Sequence, residues 1–384
     1  MSIHNLIFGK IYNIIKISNF IFAEIMKFLT KILSIISCAV IAFTVFGFAA
    51  CGQGDQKHFT AFNGTPVTVQ SRNKPLSDAA ADKISALLSD LNAEFSATES
   101  GSSVYKINAA KRGEETEISP LFKSVAETCK YMHEFTGSKF DASVYPLTLL
   151  WQFSPNYPVP DFSVPTAEEI AAAKAAVGFD KFSFESVAVK TADDAKLDFG
   201  GVIKGYAADK IAEIMKDDGV NAGFVSVGGS SLYIIETETL AISHPRKDGN
   251  ILKINLKSRD LSVSTSGDYE KTYTLGGATY SHIIDPTSGY PQQTGVASAT
   301  VIGKGGVKLD ALTTAICLFQ HDFSSPERGE LYRFIQKIMS SEDFKDASVF
   351  IVCVSGDKKQ ILTNKKQGED FDLQDDEYSV FSVV

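Results

Sequence analysis

The stretch Leu197–Lys210, LDFGGVIKGYAADK, constrains this chain more than any other. Leu197 and Phe199 flank Asp198, as at the end of a short buried strand. Gly200 and Gly201 then make a turn without Cβ atoms, and Val202, Tyr206, Ile211 and Ile214 follow at roughly helical spacing. A strand, a glycine turn and a helix start in this order form a cradle for an anion. The N–H groups of a first helical turn have no partner inside the helix, and the helix dipole favours negative charge there. Lys204 falls in that turn, where a cation helps only beside an anion. Asp198 is placed to hold a hydroxyl or to help position a metal. The same residues also fit a plain glycine-rich turn with a solvated lysine, so other stretches must decide.

The net charge of −9 over 384 residues, with no basic patch or aromatic-basic interleaving, argues against nucleic acid as a partner. A hydrophobic fraction of 44% is that of an ordinary globular chain with room for one large or two medium domains. Cys129, Cys317 and Cys353 read as small apolar core residues, since the chain has no CxxC and no metal-ligand spacing.

Residues 1–50 read as a leader rather than part of the fold. Lys27 and Lys31 make a basic start, Ile32 to Ala50 is almost wholly apolar, and Phe48-Ala49-Ala50 precedes Cys51. The pattern resembles a bacterial lipobox, with Cys51 as the acylated first residue of the mature protein. An uncleaved membrane anchor is the alternative, for which the apolar run is long enough. Translation from Met26 would give a signal of more usual form. Either way the body is expected to face outward from the cytoplasmic membrane; with Cys51 acylated it would be lipid-anchored to the cell membrane, facing the periplasm or the cell exterior. Residues 51–58 are expected to be a tether, 59–365 the folded domain, and 366–384 an acidic, loose tail.

Within the body, Ala61–Gln70 alternates like a strand. Ser77 or Asp78 caps a helix carrying Ile84, Leu87, Leu88, Leu91 and Phe95. Ser119-Pro120 opens a second helix that Gly137 closes, and Thr166 with Glu169 forms a capping box for a third, ended by Gly178. Phe224–Val227 and Leu232–Ile235 read as strands, and a hairpin is expected at Gly276-Gly277. Helices are expected over Val307–Phe319 and Pro326–Ile338, then a strand over Ala347–Val354. With no repeat and no linker, the fold class is α+β: a mostly antiparallel mixed sheet with flanking helices, in two lobes around a nucleotide cleft.

Four further stretches could carry chemistry. Lys139-Phe140-Asp141, just past a helix stop, could hold a flat ring and a polar group, or be a buried Phe beside a turn. Thr265–Tyr269, read as a loop between strands, could approach a ligand closely or be a polar turn. His282, at a strand end, suits a general base, though a lone His beside isoleucines is commonly structural. Asp310 and Thr314, four residues apart, share an inward helix face. An inward carboxylate needs a partner, which is either Mg²⁺ or backbone groups.

KFDASVYPLTLLW, LDFGGVIKGYAADKI, SVGGSS, STSGDYEKTY, YSHIIDPTSGYP and DALTTA occur in this order. Through them the chain resembles the ApbE family of FAD:protein FMN transferases over roughly residues 58–365. The resemblance implies a Mg²⁺-dependent enzyme that cleaves FAD, passes FMN to a Thr or Ser hydroxyl of an acceptor redox protein, and releases AMP. It implies Asp310, Thr314 and a carbonyl at Gly201 as metal ligands. Asp198, Lys204, Lys139, Phe140, Asp141 and Ile283 match flavin-nucleotide positions, and His282 matches a histidine linked to acceptor activation. Asn63 stands where the family often has Met and Thr98 where it is often aromatic, both in the FAD-binding wall. A hydrolase giving FMN and AMP, or a non-catalytic flavin-binding lipoprotein, would use the same site.

Overall fold

The computed structural model describes residues 54–155 and 157–383; the leader and Cys51 lie outside the described residues. Its largest element is a nine-stranded sheet. The strands, in spatial order, are β1 (Asp55–Ala61), β2 (Thr65–Ser71), β6 (Gly223–Val227), β7 (Ser231–Ile234), β10 (Leu261–Gly267), β13 (Val296–Gly303), β14 (Ser348–Ser355), β15 (Lys358–Thr363) and β17 (Ser379–Ser382). Every neighbouring pair is antiparallel except β15 and β17. Every residue of β13 is buried, so both faces of the sheet are covered there. Smaller sheets join β3 (Glu115–Glu117), β5 (Val187–Lys190) and β4 (Phe182–Phe184), and β16 (Phe371–Leu373), β9 (Asn250–Asn255) and β8 (Thr239–Ser243). A two-stranded hairpin pairs β11 (Thr272–Leu275) with β12 (Ala278–Ser281) across Gly276-Gly277, as the sequence predicts.

Helix starts follow local chemistry. Helix α1 (Asp78–Phe95) begins where the Ser77 hydroxyl accepts the Ala80 N–H, and its buried face is Ala80, Ile84, Leu88, Leu91 and Phe95. Each such large side chain contributes about 1.5–3 kcal/mol on leaving water. Helix α2 (Ser103–Ala109) is capped by Ser102 and α3 (Pro120–Phe135) by Ser119 with Pro120 in its first turn. Short α4 (Tyr145–Leu150) follows, and α5 (Ala167–Ala176) has its capping box intact. The carbon-rich faces of α6 (Ile203–Asp217) and α7 (Gly306–Ile316) meet against the sheet, with α8 (Glu330–Ser340) beyond them. The α6–α7 crossing is backbone on backbone: a Cβ on Gly205 would lie 2.3 Å from the Gly306 carbonyl oxygen.

Several expectations change. Residues 61–70 are not one strand, because Phe62, Asn63 and Gly64 take positive φ and turn the chain between β1 and β2. The expected tether is strand from Asp55 onward. Asp198 does not end a strand; beside it lies only an isolated bridge, Val144 to Lys196. Thr265 and Ser266 lie inside β10 and not in a loop. The expected helix to Phe319 ends at Ile316, and residues 326–338 divide at Gly329 into a short 3₁₀ turn and α8. The acidic tail is ordered: β16 pairs with β9 and β17 with β15, which polar composition alone does not predict. Cys129, Cys317 and Cys353 are buried free thiols.

Candidate functional site

A cavity of about 490 Å³ opens beside the glycine turn. It lies where the main core meets a smaller aromatic cluster around Trp151, Phe153, Tyr273 and Ile284. Asn63, Thr98, Lys139, Phe140, Asp141, Asp198, Gly201, Lys204, His282, Ile283, Asp310 and Thr314 all line it. Its size is that of small-molecule and cofactor sites, roughly 300–1,000 Å³.

Asp310 sits at the polar end. It is 4% exposed and has no cationic group in contact. The hydroxyls of Ser231 and Ser264 donate to Oδ1 at 2.8 and 2.6 Å, and the Gly205 N–H donates to Oδ2 at 2.7 Å. Burial pushes its pKa up to about 6, against the opposing pull of Lys204 and these donors. A carboxylate offers about four lone-pair sites, so three donors leave capacity for one more electrophile. The Thr314 hydroxyl donates back to the Asp310 carbonyl at 3.1 Å and, with the Ser266 hydroxyl 3.4 Å away, keeps a lone pair for another partner. This all-oxygen donor set, with no cation in direct contact, fits a hard divalent cation. Among the described residues no cluster of three or more His, Cys, Asp or Glu side chains could hold a metal alone. Hydroxyl, carbonyl and ligand phosphate oxygens would have to complete the shell.

The anion cradle takes a different form from the expected one. The N–H of Ile203 bonds to the Phe199 carbonyl at 3.0 Å, and that of Gly205 bonds to Asp310. The first turn of α6 therefore holds the protein's own carboxylate. What it turns toward a ligand is Lys204, whose ammonium donates to the Ser230 hydroxyl at 2.6 Å at the cavity wall. Asp198 accepts the Gly200 N–H at 2.7 Å, and burial raises its pKa.

Loops build much of the remaining wall, and Phe140 packs against the glycine turn at Gly201. Phe140 is held where its N–H meets the Thr136 hydroxyl, and Asp141 accepts both the N–H and the hydroxyl of Ser143. His133 Nδ1 lies 3.3 Å behind Asp141. Lys139 is not free: its ammonium donates to Asp285 at 2.8 Å. Asn63 and Thr98, the two departures from the family pattern, bond to each other at 3.0 Å. His282 Nδ1 is buried without a hydrogen-bond partner, and burial holds the ring's pKa down to about 4, so it is neutral at pH 7.

Ser231, Glu270 and Lys271 were not singled out from the sequence, yet all line the cavity. Ser231 is the last residue of SVGGSS, and Glu270-Lys271 is a charged pair inside STSGDYEKTY, so the motifs carried a signal for all three.

A mixed sheet flanked by helices, with a polar cavity lined by the buried carboxylates of Asp141, Asp198 and Asp310, by lysines and by a neutral histidine, fits a nucleotide-type site. A protein-family model, the ApbE family, matches residues 63–325, and the chain belongs to that family. It is 29% identical over 240 residues to a FAD:protein FMN transferase of Vibrio cholerae, covering 61% of this chain and 71% of that one. It is 30% identical over 226 residues to the enzyme of that name from Escherichia coli, covering 56% of this chain and 64% of that one. The solved structure of the ApbE protein from Thermotoga maritima superposes with a TM-score of 0.67 at 30% identity, over 78% of this chain and 94% of that one.

Proposed function

We propose that this chain, a flavin transferase by family, cleaves the pyrophosphate of FAD and moves FMN to a Thr or Ser hydroxyl of an acceptor protein, releasing AMP. The observation that carries the reading is the contact between the Gly205 N–H and Asp310, which brings the glycine turn and the inward helix face to one cavity. Phe140, Ile283 and the neighbouring loops would hold the flavin nucleotide, and Lys204 would hold phosphate oxygens.

In the transfer step the acceptor oxygen bonds to the phosphorus of the FMN half. The P–O bond to the AMP phosphate breaks, AMP leaves with the electron pair, and the hydroxyl proton passes to a base. His282 is neutral and has a lone pair free for that proton, and the arriving phosphate charge would raise its pKa toward neutrality. Asp310, Thr314 and a carbonyl at Gly201 would hold Mg²⁺, which would offset charge gathering on the phosphate oxygens. Lys204 supplies a fixed positive charge for the same purpose.

Acylation at Cys51 would tether the body to the cell membrane, facing the periplasm or the cell exterior, where exported redox proteins could serve as acceptors. The test is incubation of the purified protein with FAD, MgCl₂ and an exported flavoprotein acceptor, followed by in-gel flavin fluorescence and AMP detection. Labelled acceptor with equimolar AMP supports the reading. AMP with free FMN and no label would make the protein a hydrolase, and bound FAD without AMP would make it a carrier.

A further inference from the structure

The loop between β8 and β9 is folded around His244, whose Nδ1 accepts the N–H groups of Arg246 and Lys247 at 3.0 and 3.2 Å. That nitrogen therefore carries no proton, and the ring proton sits on Nε2, which lies 3.2 Å from Asp375 Oδ2 without hydrogen-bond geometry, as a charge contact. Lys247 reaches the same oxygen at 2.8 Å, and the ring of Tyr378 meets His244 edge-on with centroids 5.5 Å apart. Asp375 and Tyr378 lie between β16 and β17, so pairing with β9 and β15 pins their segment at both ends. This segment lies outside residues 63–325, which match the family model.

From the same loop Arg246 reaches Asp268. Both guanidinium nitrogens bond to the Asp268 carboxylate at 2.6 Å, a planar fork rather than a point contact. Asp268 directly follows β10 and starts the segment that carries Glu270 and Lys271 into the cavity wall. The Lys271 carbonyl accepts the N–H of His282 at 3.0 Å. Contacts thus run from Asp375 through the His244 turn and Arg246 to Asp268, and the three-residue chain from Asp268 to Lys271 carries the path on to His282. The fork is not needed to hold the backbone, because the Asp268 N–H is already bonded to the Ala297 carbonyl. What it fixes is the direction in which the chain leaves the sheet.

We propose that the C-terminal segment is a clamp which, through Arg246, sets the position of the Asp268–Lys271 loop, making Arg246 a positioning residue for the transfer site. The inference rests on the function proposed above.

The test compares wild type with Arg246→Ala, Arg246→Lys, Asp375→Asn and the swap Arg246→Asp with Asp268→Arg. Arg246→Ala should lower kcat by about tenfold, with KM for FAD moved less than about threefold. Its Tm should stay within about 2 °C of wild type, as a partly exposed ion pair implies. The swap should restore most of the lost kcat, Arg246→Lys only part, and Asp375→Asn should reproduce a smaller loss. Wild-type kcat in Arg246→Ala, or a loss that the swap does not repair, overturns the inference. If wild type itself transfers no flavin, the function reading fails separately. The clamp is then judged by the His282 imidazole resonance: a shift in Arg246→Ala upholds it, and no shift overturns it.

Discussion

The N–H of Gly205 donates to the carboxylate of Asp310 at 2.7 Å, at the point where α6 and α7 touch backbone to backbone. The same crossing thus sets the helix packing and the position of the site's buried charge. Gly205→Ala places a Cβ 2.3 Å from the Gly306 carbonyl oxygen and 2.9 Å from Asp310 Oδ2. Neither neighbour can yield without moving a helix. The substitution should cost about 1–3 kcal/mol and displace the carboxylate, so both Tm and turnover fall. A Tm and a turnover matching wild type would show that the crossing has room for a methyl group and does not set the carboxylate's position.

Asp310→Asn keeps the shape and can keep the hydrogen bonds. Its carbonyl oxygen can face the Gly205 N–H, and its amide can donate to the Ser231 and Ser264 hydroxyls, which rotate to accept. The variant should fold, and its Mg²⁺-stimulated turnover should fall by at least about a hundredfold, as for loss of a charged catalytic contact. Titrating MgCl₂ against AMP release checks this, and a stimulation curve like that of wild type would remove Asp310 from the cation site.

Lys204 is held by a single hydroxyl, that of Ser230, and its loss breaks no ion pair. Lys204→Ala should raise KM for FAD and lower kcat together, by about tenfold or more in kcat/KM, since an unpaired phosphate charge loses roughly 1.5–3 kcal/mol. Ser230→Ala should do less. Steady-state kinetics on FAD distinguish the two, and equal, small effects would make Lys204 a surface group.

His282 gives the pH dependence. Burial holds its folded pKa near 4, below the ordinary value of 6.5. The unfolded chain therefore binds more protons in that interval. The stabilisation is complete above the unfolded value and is lost as pH falls from about 6.5 toward about 4. Urea midpoints measured between pH 7 and pH 5 should drop less in His282→Gln than in wild type. An identical acid loss in both proteins would mean that His282 is already solvated in the fold.

Legibility in the sequence divided along the range of the interactions. The starts of α1, α3 and α5 could be read because a cap and its N–H partner lie three residues apart. The hairpin at Gly276-Gly277 could be read for the same reason. The cavity residues could be named because their motifs occur in family order, and the fold brings them together. The strands of the acidic tail could not be read. Their pairing partners, β9 and β15, lie elsewhere in the chain, and pairing depends on those neighbours more than on composition.

Local spacing, caps and motif order, all present in the sequence, determined the α+β class, the family and the naming of twelve residues that line the cavity. Tertiary structure alone decided which group satisfies the first turn of α6. The glycine turn reads as a phosphate cradle, but a carboxylate 105 residues away takes the Gly205 N–H. Likewise, hydroxyls 79 and 46 residues distant, on β7 and β10, surround that carboxylate. The physical reason is that a buried donor bonds whichever acceptor the packed core delivers to it, and no local pattern encodes which one arrives.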